Sequence, residues 1–165
     1  MAVAKHFPGH GDTNVDSHKV LPTIYHDKCT LDSVDLLPFQ RFIDEGYSGI
    51  MVGHLNVPVV DKTNTPSSLS KFVSTDLLKH EMGFEGLSFT DALTMGGASQ
   101  KNSDNCLRAF KAGADVLLKP ANTAASIQAM LAALRSGEIT QSQIDESCRK
   151  ILTYKYVLGL RKRPE

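Results

Sequence analysis

The sequence lacks several features that would have settled its class quickly. It carries no excess of either charge: 18 Lys and Arg face 18 Asp and Glu, for a formal net charge of zero. A nucleic-acid or membrane partner held by bulk charge is therefore not expected. No apolar run approaches the roughly 20 residues needed to span a bilayer. Cysteine is sparse, with Cys29, Cys106 and Cys148 widely spaced and no CxxC. An odd, scattered set is neither a disulfide framework nor a structural zinc site, and buried free thiols are expected. No signal peptide is legible, which leaves the compartment undecided because a chain can begin inside a larger protein. Low-complexity tracts and linkers are also missing. What is present is 165 residues, 41% of them hydrophobic, enough for one domain with a core.

Strand-like and helix-like stretches alternate along the chain. AVAKHF (2–7) reads as a short strand, followed by a long polar loop to about Thr30. SVDLLPFQRFIDEG (33–46) reads as a helix regular from about Pro38, since proline is tolerated only in a first turn, with Gly46 as its stop. SGIMVGH (48–54) is apolar without alternation, the mark of a buried strand. SKFVSTDLLKHEMG (70–83) predicts an amphipathic helix with Phe72, Leu77, Leu78 and Met82 on its apolar side. GLSFT (86–90) is the next strand, then the turn DALTMGGAS (91–99) and the helix NCLRAFKAG (105–113). ADVLLK (114–119) is a fourth strand candidate. A helix over 122–137 has Asn122 or Thr123 as N-cap and Gly137 as its end. TQSQ (140–143) fits a capping box opening a last helix, in which Ile144, Cys148, Ile151, Leu152 and Tyr156 recur at helical spacing. Four strands separated by helices and long loops predict an α/β fold of parallel βα units, either an open doubly wound sheet or part of a barrel.

In both architectures the chemistry sits at the carboxyl ends of the strands. Lys5 and His6, His54 and Asn56, Asp91, and Lys119 and Asn122 all fall there. Asp91, directly after an apolar strand, needs a partner or serves as a helix N-cap. The densest stretch is KHFPGHGDTNVDSH, Lys5 to His18, which holds three of the six histidines. The spacing of His6 and His10 would suit a metal on a helix, but Pro8, Gly9 and Gly11 rule a helix out there. The glycines match neither GxxxxGK[ST] nor GxGxxG, so no phosphate loop is indicated. No metal is expected. In Asp16-Ser17-His18, residues two apart in an extended segment share a side. A carboxylate there would fix the tautomer of the imidazole and favour its protonated form, equipping it as a general acid near neutral pH. The plain alternative is a solvated loop with an incidental DSH.

The whole of KHFPGHGDTNVDSHKVLP, Lys5 to Pro22, resembles the signature of family 3 glycoside hydrolases of the β-N-acetylglucosaminidase type, KHFPGHG followed by DSHxxLP. MVGHLNVPVVD resembles that family's next strand and loop. MGFEGLSFTDALTMGGAS, Met82 to Ser99, resembles the segment around its nucleophile, with Ala92 where many members carry a second aspartate. GADVLL and the closing helix match as well. The resemblance implies that Asp91 is the catalytic nucleophile. It implies that His18 is the general acid/base with Asp16 as its dyad partner on a mobile loop, and that Lys5 and His6 bind the sugar. Gly9 and Gly11 would let that loop bend; His10 receives no role.

The implied substrate is an N-acetylglucosaminide from peptidoglycan or amino-sugar turnover, in a bacterial cytoplasm or periplasm, and no cofactor is expected. The DSH dyad favours this branch over the family's β-glucosidases and phosphorylases. The implied fold is a TIM-type (β/α)8 barrel, which needs about 250 residues. Residues 1–165 would then form the C-terminal half of the catalytic domain, a partial barrel of about four βα units starting at the fifth strand. Such a half is expected to aggregate, to pair with a second copy as a homodimer, or to need a missing N-terminal half for activity.

Overall fold

The structure is a computed structural model and describes residues 1–13, 15–98 and 104–160. Three parallel strands form its sheet in the order β1 (Ala4–Phe7), β2 (Gly49–Val52) and β3 (Leu87–Thr90). Each is four residues long, β2 wholly apolar and β1 carrying Lys5 and His6, and both crossovers run through helices, as parallel pairing requires. The expected fourth strand is reduced to a single bridge, Val116 to Phe89. Its backbone still follows β3, with Asp115 and Val116 N–H donating to the Ser88 carbonyl and Thr90 N–H to the Val116 carbonyl. Beyond that point the Thr90 hydroxyl, not its backbone, accepts from Leu118 N–H at 2.9 Å, so the ladder stops.

The helices begin earlier than the proline suggests. Asp27 caps a first turn, α1 (Lys28–Thr30), by accepting from Thr30 N–H at 2.8 Å. The backbone continues through a π-wound segment, Leu31–Asp35, into α2 (Leu37–Asp44). Part of the expected polar loop is therefore helical, because its Asp27-Lys28 start supplies a cap that a reading centred on Pro38 overlooks. The helix Phe72–Glu81 is also π-wound, closing i→i−5 as in Met82 N–H to Leu77 O at 3.0 Å. That wider winding aligns Val73 with Leu78 and buries both, along with Leu77 and Met82. Phe72, assigned to the apolar side at ordinary helical spacing, is 53% exposed instead.

The main core lies between the sheet and these helices: Phe7, Ile50 and Val52 pack with Leu31, Phe39, Leu77 and Leu78. Phe7 meets Phe39 edge-on with ring centroids 5.3 Å apart. The register sets Lys5, Met51 and Phe89 side by side on the sheet's less buried face.

The chain then continues through α3 (Asn105–Lys111), α4 (Thr123–Ser136) and α5 (Gln141–Val157). Asn122 caps α4 through Ala125 N–H, and Gly137 ends it at φ 78°. Thr140 and Gln143 form the capping box of α5. Yet no residue of α5 is fully buried: Ile144 packs against Leu107, Ala133 and Ile139, while Leu152 and Val157 further along are exposed. Cys148 on that helix and Cys29 on α1 are exposed; only Cys106 is a buried thiol, against the expectation for all three. Among the described residues no helix is long and apolar enough to cross a membrane.

Candidate active site

The carboxyl ends of the three strands meet at one place. Gly53 N–H donates to the Phe7 carbonyl and Asp91 N–H to the Val52 carbonyl, both at 2.9 Å, which extends the ladder just past the strand ends. Asp91 emerges there with its side chain 15% exposed. Its Oδ1 accepts from Ala92 N–H at 2.7 Å, and Oδ2 lies 3.6 Å from His6 Nε2. No helix starts behind it before the short 3₁₀ turn at Gly96–Ala98, so the N-cap alternative does not hold. The β1–β2 register slips between Lys5 and Phe7, placing His6 in the irregularity. Such a slip re-aims a side chain, and here the ring comes to Asp91. Burial holds the His6 ring below the ordinary imidazole range, while the Asp91 charge pulls it back up. Lys5 is exposed beside it.

Asp16 and His18 do pair: Nδ1 lies 2.8 Å from Asp16 Oδ1. The same oxygen accepts from His18 N–H at 2.9 Å. The segment is a turn, not an extended stretch, because the Asp16 carbonyl also accepts from Lys19 N–H at 3.0 Å. The side-chain cap across one residue brings the two side chains together where strand alternation was expected to. Both are exposed, while Ser17 between them is buried. The backbone N–H of His18 first, and its ring second, hold the Asp16 carboxyl below its ordinary value. An ionised Asp16 selects the Nδ1–H tautomer of His18 and leaves Nε2 free to carry a proton outward.

The turn after Asp91 holds this dyad in place. Gly96 N–H donates to the His18 carbonyl and Gly97 N–H to the Ser17 carbonyl, both at 3.0 Å. Neither glycine tolerates a side chain. A Cβ on Gly96 would stand 2.4 Å from the Lys19 carbonyl oxygen, and one on Gly97 2.8 Å from that of Ser17. Ser99, the end of the expected turn, lies outside the described residues. Behind Gly97, fully buried His54 donates from Nε2 to the Ala92 carbonyl at 3.0 Å and accepts at Nδ1 from the Ser68 hydroxyl at 2.6 Å. Burial holds that ring below the ordinary imidazole range, with the Ala92 carbonyl and Asp91 opposing. His54 thus fixes the residue after Asp91. Its position at a strand end was legible; its supporting role was not.

The glycines of the first loop divide. Gly9, at φ 141°, packs so closely that a Cβ would lie 2.8 Å from that of Asp35, whereas Gly11 has open space around it. The loop is tied down through Asp12, His26 and Asp35. His26 Nε2 lies 2.9 Å from Asp12 and Nδ1 2.5 Å from Asp35. Those two carboxylates, Asp35 first, raise the His26 pKa. Nothing in the local sequence around His26 signals this clamp, since its partners are 14 and 9 residues away.

The family description "Glycosyl hydrolase family 3 N terminal domain" matches residues 1–154. Beta-hexosaminidase A of Pseudoalteromonas piscicida is 36% identical across 94% of this chain and 30% of its own length. A beta-hexosaminidase of Chromobacterium violaceum is 38% identical across 81% of this chain and 37% of its own. The chain therefore spans about a third of the length of these relatives. Among solved structures, a family 3 beta-N-acetylglucosaminidase from Paenibacillus sp. superposes with a TM-score of 0.92 at 36% identity, over 99% of this chain and 32% of that one. A beta-glucoside phosphorylase superposes with a TM-score of 0.88 at 28% identity, over 98% of this chain and 31% of that one. With its strand-end carboxylate, its Asp-His pair and these relatives, the chain belongs to glycoside hydrolase family 3.

Proposed function

We propose that residues 1–165 supply the nucleophile and the acid/base of a retaining β-N-acetylglucosaminidase acting on terminal β-N-acetylglucosamine of peptidoglycan or related amino sugars. One observation carries the reading: the Asp16–His18 pair is bonded through backbone to the turn that follows Asp91. In the first step an Asp91 oxygen attacks the anomeric carbon as the glycosidic C–O bond breaks. The leaving oxygen takes the proton of the His18 imidazolium. In the second step His18 accepts a proton from water, which attacks the anomeric carbon and releases Asp91. Retaining enzymes commonly use two carboxylates for these roles; here the second falls to an imidazole held by Asp16. Lys5 and His6, at the end of β1, hydrogen-bond the sugar hydroxyls beside Asp91. The names of the beta-hexosaminidase relatives support the substrate class. The test is hydrolysis of a chromogenic N-acetylglucosaminide with retention of anomeric configuration, lost in Asp91→Asn.

A second reading concerns completeness. Among the described residues the sheet ends at β1 on one side and at a single bridge on the other, and no residue of α5 is fully buried. These features support a partial barrel of about four βα units that forms the C-terminal half of a longer catalytic domain and turns over weakly or not at all alone. Adding a separately expressed N-terminal half from a relative tests it: restored hydrolysis supports this reading, and full activity of the chain alone refutes it.

A further inference from the structure

His10 received no role from its motif, yet both of its ring nitrogens have partners in the loop. Its Nε2 lies 3.1 Å from the Ser17 hydroxyl and its Nδ1 2.7 Å from that of Thr13. Its ring meets the His6 ring edge-on with centroids 5.9 Å apart. The Thr13 hydroxyl also donates to the His10 carbonyl at 3.3 Å. With that hydrogen so placed, Thr13 accepts from Nδ1–H, and Nε2 is the acceptor for the Ser17 hydroxyl. Ser17 is buried and sits between the two members of the dyad. Its side chain reaches His10 while its carbonyl accepts from Gly97 N–H. Ser17 therefore joins the strand-end histidines on one side to the turn after Asp91 on the other.

We propose that His10 is a positioning residue that latches the Asp16–His18 dyad over Asp91 through the Ser17 side chain. The inference rests on the reading of His18 as acid/base. Without the latch, the backbone bonds to Gly96 and Gly97 are what remains, among the described residues, to hold a turn whose functional side chains are both exposed. A bond of this kind shifts a local opening equilibrium by about fivefold. The same contact forms whether His10 is neutral or protonated, because a hydroxyl both donates and accepts.

Amide hydrogen exchange of the full chain, read by NMR at Gly96 and Gly97, tests this without any need for turnover. His10→Ala and Ser17→Ala should each speed exchange there about fivefold, with Ile50 and Val52 unchanged. The double variant should be no faster than either single one, since both remove one bond. His10→Gln, which keeps a polar group, should restore most of the protection, and His10→Leu, which keeps only bulk, should not. Unchanged exchange at Gly96 and Gly97 in Ser17→Ala, or equal protection by Leu and Gln, would overturn the latch. Should His10→Ala fail to fold, Ser17→Ala decides alone. Undiminished hydrolysis by Asp91→Asn in an assembled catalytic domain, beside this exchange pattern in the chain, would sink the glycosidase reading of the site and leave the latch standing.

Discussion

His6 Nε2 stands 3.6 Å from Asp91 Oδ2, near enough for each to feel the other's charge and too far for a hydrogen bond. The carboxylate oxygen that faces the imidazole is therefore not tied up by it. That is the condition a nucleophile needs at the end of an apolar strand.

Asp91→Asn separates charge from shape. Cleavage of an N-acetylglucosaminide should fall by at least about a thousandfold in any assembly that turns over, with the fold unchanged. The same variant removes the charge that raises the His6 pKa against burial, so His6 should titrate at a lower pH than in the wild type. An NMR titration of the His6 ring reads this directly. An unmoved His6 with intact turnover would show that Asp91 is not the group facing it.

His18→Ala should do more harm to substrates with poor leaving groups than to activated aryl glycosides, because only the former need a proton in the bond-breaking step. The difference should be on the order of 10²-fold in the glycosylation rate constant. Equal losses across a leaving-group series would remove His18 from the acid role.

Two histidines should bend the stability profile in opposite directions. His54 is buried neutral, its pKa depressed, so its contribution is present above the unfolded value of 6.5 and is lost as pH falls through the folded value. His26, clamped by Asp35 and Asp12, has a raised pKa; its contribution is complete below 6.5 and is lost as pH rises through the folded value. Urea midpoints between pH 5 and pH 9 should show the His54→Gln deficit shrinking toward acid and the His26→Gln deficit shrinking toward alkali. The reverse pattern for either residue would refute its assigned environment.

Glycine tolerance should follow packing and not motif membership. Gly11→Ala meets nothing within 4 Å and should be neutral or stabilising by about 0.4–1 kcal/mol. Gly96→Ala drives a Cβ to 2.4 Å from a backbone oxygen of the dyad turn. It should cost about 1–3 kcal/mol and displace His18. Thermal melts of the two variants distinguish them.

Which polar residues come together was legible in part from their positions. Asp91 and His6 stood out as a carboxylate and an imidazole at strand ends, and Asp16 and His18 as a pair two residues apart; the structure brings each pair together. What was hidden depended on geometry beyond local spacing. The wider turn of Phe72–Glu81 moved Phe72 out and Val73 in. The fourth strand faded to one bridge because Thr90 spends its hydroxyl on Leu118. His10, His26 and His54 act through partners 7 to 38 residues away, and no local pattern encodes such distances.

The last expectation concerns assembly. The apolar repeat of α5 was legible, but among the described residues its cover is partial: Ile144 packs against Leu107 and Ile139, while Leu152 is 49% exposed and Val157 74%. Leu160 beyond it and Val3 before β1 are also exposed. Among the described residues the outer edge of β1 has no neighbouring strand, and such an edge invites pairing. Buried apolar surface is worth about 25 cal/mol per Å², so a few hundred Å² left open favours association by several kcal/mol. The isolated chain should therefore dimerise or aggregate at micromolar concentration, with hydrolysis weak or absent. Two copies would each bring an Asp91, and neither would bring the sugar contacts expected from the other half of the catalytic domain. Sedimentation velocity run beside a hexosaminidase assay examines both parts. A stable monomer with full turnover would mean that these exposed faces need no partner and that the site is complete as it stands.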